Sequence, residues 1–405
     1  MSRINVNKCL SGNVLKLEES PTFALERKVG EIDIKLKSQG GYVVRFGIGQ
    51  PDFNTPDNIK EAGKKAIDEN KTKYTASTGI KELKEAIVEK FKRDNNLEYG
   101  LENIFVGNGG KQVLDAIVRA FINPGDAVLV PKPYWVSYTQ QVILSGGNPL
   151  EVDFNDSLKI DTVHLKELVK QHDGKIKLLI LNSPNNPTGA VYNRRELEEI
   201  AEICLANSIF IISDEVYEKF IFGDSRHISI AGFGDDIKDL TLTVNAVSKT
   251  YSMTGWRIGY IAADSEIISQ MTKIQDQSTS NPSTPAQWAA VEAITGNQDS
   301  VEVMRKEYEK RRDYIYSRLN AIKGIKCGLP EGAFYVFPDV SSFYENDIKN
   351  SFDFSTRLLE EAYVAVVPGA AFGDDRFVRI SYATTLDKIE EGMNRLEKFC
   401  REISS

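Results

Sequence analysis

The chain is poor in the residues that build metal centres and disulfide frameworks: its 405 residues include 4 cysteines and 3 histidines. Cys9, Cys204, Cys327 and Cys400 lie far apart, with no C-x-x-C spacing and no histidine close by, so neither a redox motif nor a metal site is expected. His164, His172 and His227 stand alone in polar, loop-like stretches and read as surface residues, not catalytic ones. Long apolar runs are missing too. None reaches the about 18 residues that suggest a membrane span, and Met1 to Ser20 has no signal-peptide core. The cytoplasm is therefore the expected compartment, and a membrane is not an expected partner. Positive charge is in short supply: 50 Lys and Arg against 58 Asp and Glu leave a formal charge of −8. That balance argues against nucleic acid as a partner, because affinity for a phosphate backbone rests on clustered cations. Any anion must be gathered by a few local cations.

What is present is the composition of a folded soluble protein, 41% hydrophobic and 27% charged. The length suits two closely packed lobes with room for a buried site between them. Short apolar runs at 104–106, 127–130, 178–181, 209–212, 242–244 and 258–262 read as buried strands. Between several of them lie helical patterns, such as Leu197, Ile200, Ala201 and Cys204 within Arg194 to Ala206. The alternation predicts an α/β fold with a mainly parallel sheet covered by helices. Beyond Ala286 the pattern turns to long charged helices, notably 300–319, and then to strand-like 333–337 and 377–381, which suggests a smaller α+β lobe. The stretch to about Leu15 reads as an arm.

In an open parallel sheet, ligands bind beyond the carboxyl ends of the strands, so the residues just after each apolar run matter most. Ser183-Pro184-Asn185-Asn186-Pro187-Thr188-Gly189 is either a plain turn or a binding loop. In Ser213-Asp214-Glu215-Val216-Tyr217 an acid leaves a buried run with a phenol three residues on; Asp214 is either a helix cap or a buried functional carboxylate. Asn245-Ala246-Val247-Ser248-Lys249-Thr250 ends a strand in a lysine, which either snorkels to water or performs a task that justifies its burial. Upstream, Gly107-Asn108-Gly109-Gly110-Lys111 joins a strand to a helical pattern, and free amides at a helix start can cradle a phosphate.

The order of these four elements, followed by Met253-Thr254-Gly255-Trp256-Arg257, resembles the fold-type I pyridoxal-phosphate (PLP) aminotransferases of class I. The resemblance is closest to the bacterial and archaeal gamma branch of aspartate aminotransferases. It covers nearly the whole chain, from Gly49-Gln50-Pro51-Asp52-Phe53 through Lys73-Tyr74 and Pro133 to Tyr138, and on to Gly332-Ala333-Phe334-Tyr335 and Arg379-Ile380-Ser381-Tyr382-Ala383. It implies a large domain at 51–299 with a seven-stranded sheet, a small domain at 16–50 and 300–405, and an arm at 1–15.

The same resemblance implies the roles. Lys249 would hold the cofactor as a Schiff base and carry protons. Asp214 would pair with the pyridine nitrogen, Asn186 and Tyr217 with the 3′-oxygen, and Trp135 would stack on the ring. Gly109, Gly110, Ser248 and Arg257 would bind the phosphate, joined by Tyr74 of a neighbouring subunit in a homodimer with shared sites. Arg379 and the backbone of Gly49 would take the substrate α-carboxylate, with Trp135 and Asn186 beside it. Lys111 has two readings, phosphate contact or, with Ser20 and Thr22, recognition of a distal carboxylate. The implied reaction moves an amino group from L-aspartate to 2-oxoglutarate. Prephenate or aromatic substrates are alternatives, because few pocket residues decide specificity. A PLP β-lyase would share the anchor residues, whereas a non-enzymatic PLP-binding regulator would need a DNA-binding domain for which residues 1–21 are too short. Gln50 and Asn54 replace acids common in the family, and 27–41 reads as about one helical turn longer than in relatives.

Overall fold

The computed structural model describes residues 6–19, 21–37, 40–172, 174–345 and 347–404, with only the backbone at 21–24 and 26. After a short strand β1 (Val44–Arg45), seven strands build one sheet: β2 (Ile104–Gly107), β3 (Ala127–Pro131), β4 (Asn148–Val152), β5 (Ile176–Asn182), β6 (Phe210–Asp214), β7 (Thr241–Ala246) and β8 (Gly259–Ala262). They lie in the order β2-β8-β7-β6-β5-β3-β4. Only β8 runs against its neighbours; the other pairs are parallel. Every residue of β2, β7 and β8 is buried, as strands covered on both faces should be, and β7 buries Thr241, Thr243 and Asn245 along with its apolar residues.

Parallel strands need crossovers, and helices provide them. The helix Arg194–Ala206 links β5 to β6 and buries Leu197, Ile200, Ala201, Ile203 and Cys204, the periodic positions of the sequence. Asn193 starts it: its side chain accepts from the Glu196 amide while Glu196 accepts from the Asn193 amide. Strand β4 is absent from the apolar runs because, unlike β2 at the other edge, it is largely accessible.

The remaining strands are short: β9 (Tyr335–Val336), β10 (Val364–Ala365), β11 (Val367–Pro368) and β12 (Val378–Ser381). β1 pairs in parallel with β10, and β11-β12-β9 form an antiparallel sheet. Their core joins Val44 and Phe46 to Tyr308, Ile315 and Leu319 of the long helix Asp299–Ala321 and to Met393 and Leu396 of the helix Leu386–Ile403. The 27–41 stretch falls mostly within the helix Pro21–Lys37.

The C-terminal helix docks by having no side chain at one point. A Cβ on Gly392 would lie 2.4 Å from the Phe46 ring and 3.0 Å from Val44. Overpacking costs about 1–3 kcal/mol, more than the about 0.5–1 kcal/mol that alanine gains over glycine inside a helix. Gly392→Ala is therefore expected to lower the urea midpoint, and an unchanged midpoint would show that Phe46 moves aside without cost.

Candidate active site

The carboxyl ends of β5, β6 and β7 lie side by side. The register places Asn182 opposite Asp214, and Asp214 opposite Val244, so the loops that follow converge on one place. Asp214 is buried. Its Oδ2 accepts from the Tyr138 hydroxyl at 2.6 Å and its Oδ1 from the Val216 amide at 3.3 Å. Burial outweighs these bonds and pushes its pKa from the ordinary 3.8 up to about 6. The Asn182 amide group donates to the Asp214 carbonyl at 2.9 Å and its oxygen accepts from the Asn186 amide at 2.8 Å, which ties the Asn186 loop to the end of β6.

Lys249 sits in the short helical turn Val247–Thr250 directly after β7. It retains some accessible surface. Burial nevertheless brings the amine down to about 8, repulsion from Arg379, Arg257 and Lys111 acts the same way, and Asp214 opposes it. Its Nζ donates to the Gly49 carbonyl at 2.5 Å and lies 5.9 Å from the ring centres of Tyr217 and Phe334.

At the start of the helix Gly110–Phe121, the first amides have no acceptor inside the helix. Gly109 has φ +86°, and a Cβ on it would lie 2.3 Å from Arg257 Nη2, so only glycine admits the guanidinium here. Arg257 donates to the Thr254 carbonyl at 2.9 Å and the Asn108 carbonyl at 3.3 Å. Ser248 is buried beside Lys249. The Lys111 ammonium lies 4.8 Å from the Trp135 ring centre, and burial together with Arg257 lowers its pKa. Trp135 in turn meets Tyr138 edge to face at 5.4 Å.

Arg379, on β12, is buried and donates to Asn186 Oδ1 at 3.0 Å and to the Gly47 carbonyl at 2.6 Å. The rings of Tyr335 and Phe372 flank it at 4.7 and 4.9 Å. Tyr217 shares a 2.8 Å hydroxyl contact with Tyr335, whose hydroxyl would lie 2.7 Å from a Cβ on Gly49.

The polar groups therefore fall into two sets. A helix start with Arg257 suits a phosphate. A buried carboxylate suits a protonated ring nitrogen, with a weakened lysine amine nearby for an aldehyde. Two buried polar atoms in the same places have no partner among the described residues: Asn108 Nδ2 at the turn and Arg379 Nε in the guanidinium fork. These features fit pyridoxal phosphate and an amino acid.

Not every expected residue joins this group. Tyr74 is 88% exposed. Ser20 and the Thr22 side chain lie outside the described residues. Gln50 and Asn54 are exposed. The structure corrects one reading: His227 is not a surface residue, since its side chain is only 9% exposed and its Nε2 lies 2.8 Å from the buried Glu215. Glu215 also accepts from Ser213 and Ser229 at 2.8 and 2.6 Å. Glu215, Glu218 and His227 bring three ligand-type atoms within 4.8 Å of one another, but Lys90 already pairs with Glu218. Sequence reasoning missed this network, whose His227 lies in a polar stretch only 12 residues from Glu215, and it missed the support of Tyr138 and Tyr335, whose partners are 76 and 118 residues away.

Two of the shifted groups, Asp214 and Lys249, give stability a defined pH dependence in the cofactor-free protein. Asp214 holds its proton in the native state up to about pH 6 while the unfolded chain releases it near 3.8. Stability falls as pH rises through that window, by on the order of 2–3 kcal/mol. Lys249 acts oppositely: the native amine loses its proton at about 8, the unfolded one near 10.5, so stability rises between those values. Urea unfolding across pH should show Asp214→Asn flattening the acidic limb and Lys249→Met the alkaline one. A limb unchanged by its variant would refute that assignment.

Residues 42–396 match the aminotransferase class I and II family. An aspartate aminotransferase of Bacillus sp. (strain YM-2) is 47% identical over 98% of this chain and 100% of its own. A probable aspartate/prephenate aminotransferase of Aquifex aeolicus is 45% identical over 98% of this chain and 100% of its own. The crystal structure of the aspartate aminotransferase from Rhizobium meliloti superposes with a TM-score of 0.91 at 38% identity, covering 97% of this chain and 98% of that one. With these likenesses spanning the strands, the turn and the lysine described above, the chain belongs to the class I and II aminotransferase family.

Proposed function

We propose that the protein is a pyridoxal-phosphate-dependent aminotransferase that converts L-aspartate and 2-oxoglutarate to oxaloacetate and L-glutamate. The observation that carries this reading is the buried lysine amine of Lys249, brought down to about 8 among three other cations. An amine so disposed is partly neutral near physiological pH and can act as nucleophile and base. Pyridoxal phosphate, when bound, supplies the aldehyde that takes the amino group and a ring that withdraws charge from the substrate α-carbon. Asp214, as the carboxylate, would pair with the ring nitrogen and keep it protonated, the positive charge there offsetting the burial that raises the Asp214 pKa in the empty site. Asn186 and Tyr217 orient the ring oxygen, and Trp135 offers a flat apolar face. Gly109, Gly110, Ser248 and Arg257 hold the phosphate. Lys249 Nζ then takes a proton from the substrate α-carbon and later returns one.

Arg379 has a planar fork for the α-carboxylate, and Tyr335, whose ring flanks Arg379, sets its hydroxyl against Gly49. Lys111 supplies the charge for a second carboxylate, with Ser20 and Thr22 in the same reading. Prephenate also carries two carboxylates, and the Aquifex relative's name includes it, so it stands as the second substrate reading. The division into an arm at 1–15, a large domain at 51–299 and a small domain at 16–50 with 300–405 belongs to this reading. The main sheet's confinement to 104–262 supports it. No helix among the described residues is long and apolar enough to cross a membrane, and all four cysteines are free, which supports a cytoplasmic setting.

Half-reactions test the function directly. The PLP-loaded protein should release oxaloacetate from aspartate and, after 2-oxoglutarate is added, glutamate. Failure with both acids would overturn the reading, and faster turnover of prephenate would reassign the substrate. Lys111→Ala should lower kcat/KM for aspartate by roughly 10- to 150-fold, the value of a charged hydrogen bond of about 1.5–3 kcal/mol. Alanine should be hardly affected; an equal loss for both amino acids would assign Lys111 to the phosphate.

The reading also includes a homodimer in which Tyr74 reaches the partner's phosphate. The 88% exposure of Tyr74, and the exposed Val6, Leu10, Val14 and Leu15 of the arm, support it. Sedimentation at assay concentration should give a dimer, and a fully active monomer would count against shared sites.

A further inference from the structure

Arg379 and Lys249 are both held by carbonyls of one irregular segment. Gly47 accepts from Arg379 and Gly49 from Lys249. Among the described residues, 47–54 makes no backbone-to-backbone hydrogen bond with the sheets or with neighbouring loops. The segment is fixed at its start, where Phe46 bonds to Ala365 and Ser381, and at its end, where Thr55 donates to the Ser252 carbonyl at 2.7 Å and accepts from Trp256 at 3.2 Å. Between these points a side chain does the fastening. Asp52 Oδ1 accepts from Arg311 Nη1 at 2.8 Å and lies 3.4 Å from the Tyr308 hydroxyl, both on the long helix Asp299–Ala321. Phe53 follows, edge to face with Tyr308 at 5.5 Å and beneath the Arg311 guanidinium at 5.2 Å. Tyr308 in turn packs at 5.4 Å on Phe334, one of the rings facing the Lys249 amine.

The pair is asymmetric. Arg311 has 5% of its side chain exposed and Asp52 has 23%. Arg311 keeps a second acid, Glu307, at 3.0 Å on its own helix. Removing the Asp52 charge therefore frees the segment without stranding a buried cation, so the helix should survive a loss that the loop does not.

We propose that Asp52 and Arg311 are positioning residues, whose ion pair pins the 47–53 segment to the long helix so that the Gly47 and Gly49 carbonyls hold Arg379 and Lys249 at the spacing a substrate needs. The link to substrate rests on the aminotransferase reading; the pinning itself does not. Asp52 touches neither cofactor nor the reacting atoms, so its loss should be felt in KM.

Asp52→Asn is expected to raise KM for aspartate and 2-oxoglutarate by about tenfold while kcat changes less than about threefold, a loss confined to binding. The dissociation constant for pyridoxal phosphate should stay within about twofold and the melting temperature near wild type, and Asp52→Glu should restore part of the loss. Hydrogen exchange of the substrate-free protein should be at least about tenfold faster in 47–53 and unchanged in 299–321. Unchanged exchange in 47–53 would overturn the pinning whatever the enzyme's substrates prove to be. Unchanged KM with faster exchange would overturn the positioning role. A parallel fall of melting temperature, cofactor affinity and activity would show that the pair only supports the fold. Should the wild type turn over neither acid, the function fails, and the exchange comparison still decides the pinning.

Discussion

The site depends on making an amine easier to deprotonate inside an acidic protein. The chain carries a net charge of −8, which by itself would favour a protonated lysine almost anywhere on its surface. At Lys249 the balance is reversed locally. Burial removes the water that would stabilise an ammonium, and Arg379, Arg257 and Lys111 add repulsion that Asp214 only partly offsets. Each of those cations is itself held for another purpose by carbonyls, glycine or aromatic faces, so the lysine's reactivity follows from the crowding of an anion-binding site. The same crowding makes the site attract phosphate and carboxylate, the two anions that the proposed reaction brings.

Sheet topology is what makes the crowding possible. Strands β5, β6 and β7 are parallel neighbours, so Asn182, Asp214 and the Lys249 turn emerge on the same side within a few residues of one another. Asp214 then points to Tyr138, while the next residue, Glu215, enters a separate buried network with His227, Ser213 and Ser229. Adjacent residues on an extended chain face opposite ways, so one strand end feeds two polar clusters that must both be satisfied. This explains why an Asp-Glu pair, costly to bury as two charges, persists here: the acids do not share partners.

Much of this could be read in the sequence where the signal is local. Continuous apolar runs marked six of the seven main strands, and the helical spacing of Leu197, Ile200, Ala201 and Cys204 marked Arg194–Ala206. Lys249 stood out because a lysine rarely ends a buried strand. The glycines at 109 and 110 suggested a phosphate turn but not Arg257 beneath it. Individual roles came from family resemblance, since no spacing tells which asparagine of Asn185-Asn186 will meet Arg379, 193 residues away. What stayed hidden was non-local. Edge strand β4 has no apolar run, Tyr138 finds Asp214 across 76 residues, and Asp52 finds Arg311 across 259. His227 looked exposed because its own loop is polar, and only its partner's burial makes it buried.

The non-local contacts also differ in what they do. Tyr138 touches a group that the cofactor is to meet, so it acts on electrostatics. Asp52 touches the long helix, so it would act through the position of Gly47 and Gly49 and through Tyr308, which packs on Phe334. A carbonyl oriented by backbone alone needs neighbouring strands to hold it, and 47–54 has none. An ion pair with edge-to-face rings, one partner keeping 23% of its side chain in water, is a fastening that can release and re-form, its loss matching the about 1.4 kcal/mol behind a tenfold change in binding. Under the proposed roles it is well matched to a segment that would hold two cations in readiness and still yield when a substrate carboxylate competes for Arg379.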